Sequence, residues 1–277
     1  MMAKVDLHTH TLASDGALTP AALVERAHAQ GVQCLAVTDH DTCAGLKEAA
    51  QACAELGIRF IPGIELSTQW DGVGIHVVGL NINAASEAML EAVDFQTRAR
   101  SQRAEEIGER LTKRKMPGVY EKALEIADYA QIGRPHFAKA MVKMGYVVSE
   151  QDAFSRYLGS GKIGDIKCHW PALDQVVEWI RGSGGTAVLA HPGKYDMTWA
   201  KLRRFLDVFV AAGGEAMEIS YGSENTDRLM QLCKMANQHH LKASVGSDFH
   251  SPKYHWTEVG KIPLIRGDYD PVWAGWI

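Results

Sequence analysis

Short apolar runs set the pattern of this chain. Seven of them, at 4–7, 34–38, 60–66, 75–80, 186–190, 216–220 and 243–245, have the length of buried strands. Stretches with apolar residues at helical spacing separate most of them, which predicts a parallel α/β arrangement. The first helix has a clear start, with Thr19 at the N-cap and Pro20 at the first helical position. Its apolar positions are Ala21, Leu23, Val24 and Ala27, and Gly31 closes it. A second helix is predicted over 44–56, ending at Gly57. After Leu80 the alternation stops. The pattern there predicts a long helix over 86–115, then shorter ones near 119–129, 135–144 and 150–158. Strands and helices alternate again from Thr186, so a helical segment interrupts the α/β pattern between the fourth and fifth strands. The expected division is 1–85 with 168–277 as the α/β body, and 86–167 as a basic helical insertion serving as a substrate lid.

Composition narrows the class. With 277 residues, 46% hydrophobic and 22% charged, the chain is globular, which excludes disordered and collagen-like proteins. That length suits one large domain carrying an insertion. No apolar run reaches the ~18 residues of a membrane span. The first ten residues already carry Lys4, Asp6, His8 and His10, so no signal peptide is expected. Cys34, Cys43, Cys53, Cys168 and Cys233 form no C-x-x-C pair, which points to a reducing cytoplasm. A net charge of −4 argues against a general nucleic-acid binder. Its distribution is uneven: from Arg98 to Lys167 there are 14 Lys and Arg against 9 Asp and Glu, and elsewhere 15 against 24. A basic segment therefore sits inside an acidic frame, and it coincides with the helical insertion.

The ionisable residues at the strand ends carry the chemistry. His8 and His10 are two apart on a strand, so their rings share a face. Strand two ends in Thr38-Asp39-His40-Asp41, strand three carries Glu65 and strand four His76. Strand five ends in His191-Pro192, and strand seven in Gly246-Ser247-Asp248-Phe249-His250. One histidine in a strand is as a rule a satisfied interior residue. The joint pattern differs, because in a parallel barrel these strand ends meet at one face. Buried together without partners they would be costly, and divalent cations compensate them. Imidazole and carboxylate without thiolate suit Mn²⁺, Zn²⁺ or Fe²⁺, with Mn²⁺ taken first. The nine candidates are His8, His10, Asp15, His40, Glu65, His76, His191, Asp248 and His250. That number serves two or three ions, and paired ions do hydrolytic chemistry by activating water and clamping an oxyanion.

His8-Thr9-His10-Thr11, Ser14-Asp15-Gly16 and Thr38-Asp39-His40-Asp41 resemble the opening motif of the PHP (polymerase and histidinol phosphatase) family. Gly63-Ile64-Glu65, His191-Pro192-Gly193 and Gly246-Ser247-Asp248-Phe249-His250 match its later motifs in order. The resemblance implies a distorted seven-stranded (β/α) barrel of TIM-like form, related to the amidohydrolases. It also implies a two- or three-metal site. By that likeness His8, His10, Glu65 and Asp248 surround one ion. Glu65 also reaches a second ion with His76 and His191, and Asp15, His40 and His250 take a third. Glu65, Asp248 and His250 are expected to act in the reaction itself.

The insertion adds Gly133-Arg134-Pro135-His136-Phe137, which places Arg134 and His136 where free N–H groups and the helix dipole favour a phosphate. With Tyr157-Leu158-Gly159 and Lys162, it resembles the subgroup removing the 3′-phosphate from nucleoside 3′,5′-bisphosphates. Relatives of that subgroup look like 5′→3′ exoribonucleases acting on short RNA. Arg134, His136, Lys162 and Tyr221 are the expected substrate contacts, although Lys162 suits a flexible turn equally and Tyr221 either flanks a base or caps the barrel. His255 and the tryptophans, Trp256 among them, read as surface or packing residues. The leading expectation is a phosphomonoesterase acting on a small nucleotide with two phosphates, without membrane or protein partner. The runner-up is an oligoribonuclease, which needs a basic and aromatic track leading from the metals. Histidinol phosphatase ranks lower because its substrate carries one phosphate. A non-catalytic accessory domain ranks lowest, because all nine positions are filled.

Overall fold

Among the described residues, seven strands form one sheet in chain order. They are β1 (Val5–Asp6), β2 (Cys34–Val37), β3 (Arg59–Trp70), β4 (Val73–Leu80), β5 (Thr186–Leu189), β6 (Ala216–Tyr221) and β7 (Lys242–Gly246). The computed structural model describes residues 4–167, 169–222, 224–265 and 267–277, so Cys168 at the expected domain boundary lies outside the described residues. The Leu7 N–H donates to the Val245 carbonyl at 3.0 Å and the Asp248 N–H to the His8 carbonyl at 2.9 Å, seating β7 against β1. Asp6 tightens that seam: it accepts from the Ser247 N–H at 2.8 Å and the Gly260 N–H at 2.7 Å. The sheet is thereby a distorted seven-stranded barrel.

One strand runs against the expected direction. β1–β2, β2–β3, β5–β6 and β6–β7 pair in parallel, but β4 is antiparallel to both β3 and β5. Only Asp71 and Gly72 join β3 to β4, too few for a parallel crossover. Both have positive φ (47° and 73°), the backbone of a tight hairpin. The reversal positions His76: it faces Ser67 across the hairpin, near the start of β4, at the rim where parallel strands end.

Helices α1 (Pro20–Ala29) and α2 (Leu46–Leu56) follow β1 and β2. Thr19 caps α1 as expected, its hydroxyl accepting from the Ala22 N–H at 3.2 Å. α2 starts two residues later than the pattern predicts, because Thr42 holds the Ala44 N–H in a turn. Between β4 and β5 come α3 (Glu87–Lys113), α4 (Val119–Ala127), α5 (Arg134–Lys143), α6 (Glu150–Ala153), a π turn over Phe154–Leu158, and α7 (Leu173–Gly182). α8 (Trp199–Ala211) and α9 (Thr226–Gln238) complete the barrel. Met89 and Ala92 of α3 pack into the barrel core. Ala104, Ile107 and Leu111, later in the same helix, join a separate core with Phe137, Met141 and Leu158. α3 is thus a strut that fixes the helical segment to the barrel. Among the described residues no helix is long and apolar enough to cross a membrane.

Candidate metal centre and substrate cavity

All nine expected ligands converge on the barrel rim. His8 and His10 follow β1, Asp15 lies in the next loop, and His40 follows β2. Glu65 and His76 sit within β3 and β4, His191 follows β5, and Asp248 and His250 follow β7. Their donor atoms form four overlapping groups: His8–Glu65–His191, His8–His10–Asp248, His40–Glu65–His76 and His10–Asp15–His40–His250. Glu65 is central. Its Oε1 lies 2.9 Å from His191 Nε2 and 3.0 Å from His76 Nδ1. Its Oε2 lies 2.8, 3.3 and 3.4 Å from His40 Nδ1, His8 Nε2 and His10 Nε2. His40 therefore approaches Glu65 and His76 as well as Asp15, closer to the middle than the family likeness implies.

The donor atoms fit cations better than one another. His10 Nδ1, Asp15 Oδ1, His40 Nδ1, Glu65 Oε2 and His191 Nδ1 are buried without hydrogen-bond partners. The close approach of His40 Nδ1 to Glu65 Oε2 lacks the direction of a hydrogen bond. Burial, with His250 and His40 nearby, pushes His10 down to about 3, which leaves a neutral imidazole with a free lone pair. Burial pushes the Glu65 carboxyl up, and the charges of His40, His76 and His8 more than reverse this. Asp248 is likewise held low, by Lys194, His8 and His250 against burial. His191 and Asp248 also have left-handed backbone (φ 30° and 53°), a strain typical of functional positions.

Sequence reading missed several neighbours. Glu218, in the middle of β6, accepts from His8 Nδ1 at 2.8 Å and from the His191 N–H at 2.5 Å, so it orients two ligands at once. A lone carboxylate inside the apolar run Ala216–Tyr221 was the available signal. Lys194, three residues after His191, reaches the Asp248 carboxylate. Asp39 accepts from the Thr11 N–H, Thr11 hydroxyl and Ser14 hydroxyl at 2.6–2.7 Å, which shapes the loop carrying Asp15.

A cavity of about 550 Å³ opens beside the centre. Asp15, His40, His76, His191 and Lys194 line one part of it; Arg100, Arg103, Arg134 and Lys167 line another. Arg100 pairs with Asp41 at 2.6 Å. Arg103 donates through Nε to the Ile166 carbonyl and lies over the Trp170 ring at 5.0 Å. Arg134 starts α5 and donates to the Leu158 carbonyl at 3.0 Å, with Asp165 at 3.6 Å. Burial, with Arg134 and Arg100 nearby, pushes Arg103 down to about 9, against the raising charges of Asp165 and Asp41. Three expected contacts stand elsewhere. His136 is buried, and its Nδ1 accepts from the Gly133 N–H, capping α5 rather than facing the cavity. Tyr221 is buried beneath the His191 turn, where its hydroxyl accepts from the Gly193 N–H at 2.6 Å. Lys162 is exposed in its turn and does not line the cavity.

Comparison with known proteins agrees with this geometry. A family model described as the PHP domain matches residues 6–222. The chain belongs to the PHP family. A curated relative of this PHP protein is the 5′-3′ exoribonuclease of Haemophilus influenzae, 42% identical over 99% of both chains. Another is the 3′,5′-nucleoside bisphosphate phosphatase of Chromobacterium violaceum, 39% identical over 98% of this chain and 96% of the relative. A solved amidohydrolase from C. violaceum with bound sulfate and no metal superposes with a TM-score of 0.92 at 38% identity, covering 99% of this chain and 96% of that one. The PHP protein is accordingly a hydrolase, a metal-dependent phosphoesterase.

Proposed function

We propose that this PHP protein hydrolyses the 3′-phosphate of nucleoside 3′,5′-bisphosphates to the nucleoside 5′-phosphate and inorganic phosphate. One observation carries the reading: a single cavity joins the metal-ligand cluster to the basic wall of Arg100, Arg103, Arg134 and Lys167. Two anionic groups on one small molecule match those two surfaces. Its volume of about 550 Å³ is that of a small-ligand site.

Two or three divalent ions, Mn²⁺ first, are assigned to His8, His10, Asp15, His40, Glu65, His76, His191, Asp248 and His250. When bound, such ions lower the pKa of water and offset the charge on phosphoryl oxygens. The chain does the rest. Arg134 and Arg103 hold the 5′-phosphate that is not cleaved, and Asp41 fixes Arg100 beside them. Lys194 adds a cation at the reacting phosphate, and Glu218 keeps His8 and His191 aligned. Water oxygen bonds to phosphorus, the bond from phosphorus to O3′ breaks, and O3′ takes a proton.

A second reading shares this site. A 5′→3′ exoribonuclease cuts the same O3′–phosphorus bond in 5′-phosphorylated RNA, and the likeness to the H. influenzae exoribonuclease favours it. Turnover of adenosine 3′,5′-bisphosphate, AMP, histidinol phosphate and short 5′-phosphorylated RNA with Mn²⁺ present ranks the two. The first reading expects the bisphosphate to lead; a wide preference for RNA puts the second first. Losing a charge-assisted hydrogen bond in Arg134→Ala removes ~1.5–3 kcal/mol. We expect kcat/KM on the bisphosphate to fall roughly 10- to 150-fold, with little change on a 3′-monophosphate. Equal losses on both would place Arg134 at the reacting phosphate instead.

A further inference from the structure

The loop leaving His250 carries an aromatic surface that the cavity does not use. Tyr254 and Trp256 stack on each other with ring centroids 5.0 Å apart and planes at 22°. Their outer surfaces remain open: Trp256 is 63% exposed and Tyr254 36%. With Arg26, His255, Glu258 and Lys261 they line a second cavity of about 300 Å³, in which Arg26 pairs with Glu258 at 2.6 Å. Lys261, in the same cavity lining, and Lys253, next to Tyr254 in the chain, are exposed. The loop starts at the expected ligand His250, and further on Thr257 approaches Gly222, the residue after β6. Burial and then the negative charges of Glu150 and Asp15 push the Tyr254 phenol up. A core function does not account for an exposed, prestacked Tyr–Trp pair flanked by lysines.

We propose that Tyr254 and Trp256 form a stacking platform for the bases of single-stranded RNA lying 3′ of the cleaved bond. This rests on the proposed cleavage between O3′ and phosphorus. With the 5′-phosphate in the basic cavity and the scissile phosphorus at the cluster, a longer strand must leave past the centre. Within eleven residues after His250 the chain offers two aromatic rings for bases and two lysines for phosphates, the combination that holds single strands without sequence preference. A bisphosphate ends at the cluster and does not reach the platform.

The test compares wild type with Trp256→Ala, Tyr254→Ala and Trp256→Phe, the last retaining a stacking face. Binding of a 3′-fluorescein, 5′-phosphorylated oligoribonucleotide with hydrolysis-resistant phosphorothioate linkages is read by anisotropy. Turnover of adenosine 3′,5′-bisphosphate is measured alongside. The alanine variants should bind the oligonucleotide about 5- to 100-fold more weakly, with Phe recovering most of the loss. Bisphosphate kcat/KM should stay within about twofold of wild type. Wild-type binding should also weaken steeply with salt. Oligonucleotide binding that is absent in wild type, or indifferent to Trp256, overturns the platform. Equal losses on both ligands overturn it too, since the loop would then merely support the site. If Trp256-dependent binding persists while wild type does not turn over the bisphosphate, the platform stands and the proposed phosphatase reaction falls.

Discussion

Glu65 lies within 3.4 Å of ring nitrogens from five histidines, His8, His10, His40, His76 and His191. No other expected ligand touches so many, so its charge holds the cluster together electrostatically. In Glu65→Gln a neutral amide replaces that charge and turns an N–H₂ group toward basic nitrogens. The variant should lose at least one equivalent of bound metal by elemental analysis and orders of magnitude in turnover. Full metal content with retained activity would show that Glu65 is not shared between ions. The remaining residues at this scale divide by what their neighbours do. Arg134 faces the cavity, whereas His136 lends its Nδ1 to the Gly133 N–H. The string Gly133-Arg134-Pro135-His136 shows both residue types and does not show which ring is already occupied by its own helix cap.

At the scale of elements, β1 is only two residues long, yet it carries His8 and His10 into place. Asp6 makes this work by tying β1 to Ser247 and Gly260 through backbone N–H groups. Burial pushes Asp6 up to about 6, despite those donors. A carboxyl with a raised folded-state pKa holds its proton more tightly in the fold than in the open chain. It therefore contributes stability below about pH 4 that is lost as pH rises through about 6. Comparing wild type with Asp6→Asn by urea unfolding isolates this titration. Their difference in unfolding free energy should shift against wild type by ~2–3 kcal/mol between about pH 4 and 6, then level off. A difference flat across that range would mean that Asp6 does not titrate there. The β3–β4 hairpin shows the limit of pattern reading. Both apolar runs were visible, but their direction depended on the Asp71-Gly72 turn at the half-exposed ends of the strands, outside those runs.

Across the whole molecule, acidic barrel and basic helical segment meet at the cavity, each supplying the charge the other lacks. Nine ligand groups drawn from both ends of the chain are expected to bind ions far more tightly in the folded state than in the unfolded one. Adding Mn²⁺ to chelator-treated protein should then raise Tm by about 5–15 °C, as excess of a ligand specific for the native state does for a chain of this size. An unchanged Tm in differential scanning fluorimetry would sink the metal assignment. The sequence by itself determined the family, the order of the seven strands, the helices between the fourth and fifth, and the nine residues that the fold brings to one rim. Strand ends carry their chemistry in contiguous motifs, and apolar period follows directly from burial. Only the tertiary structure decided the rest. Arg100, Arg103, Lys167 and Lys194, which line the cavity, and Glu218, which holds His8 and His191, belong to no motif, because long-range packing brings them to the site: α3 joins two cores, and β6 sets its carboxylate beside ligands from β1 and the turn after β5. Charges far apart in sequence acquire a function only when burial removes the water between them.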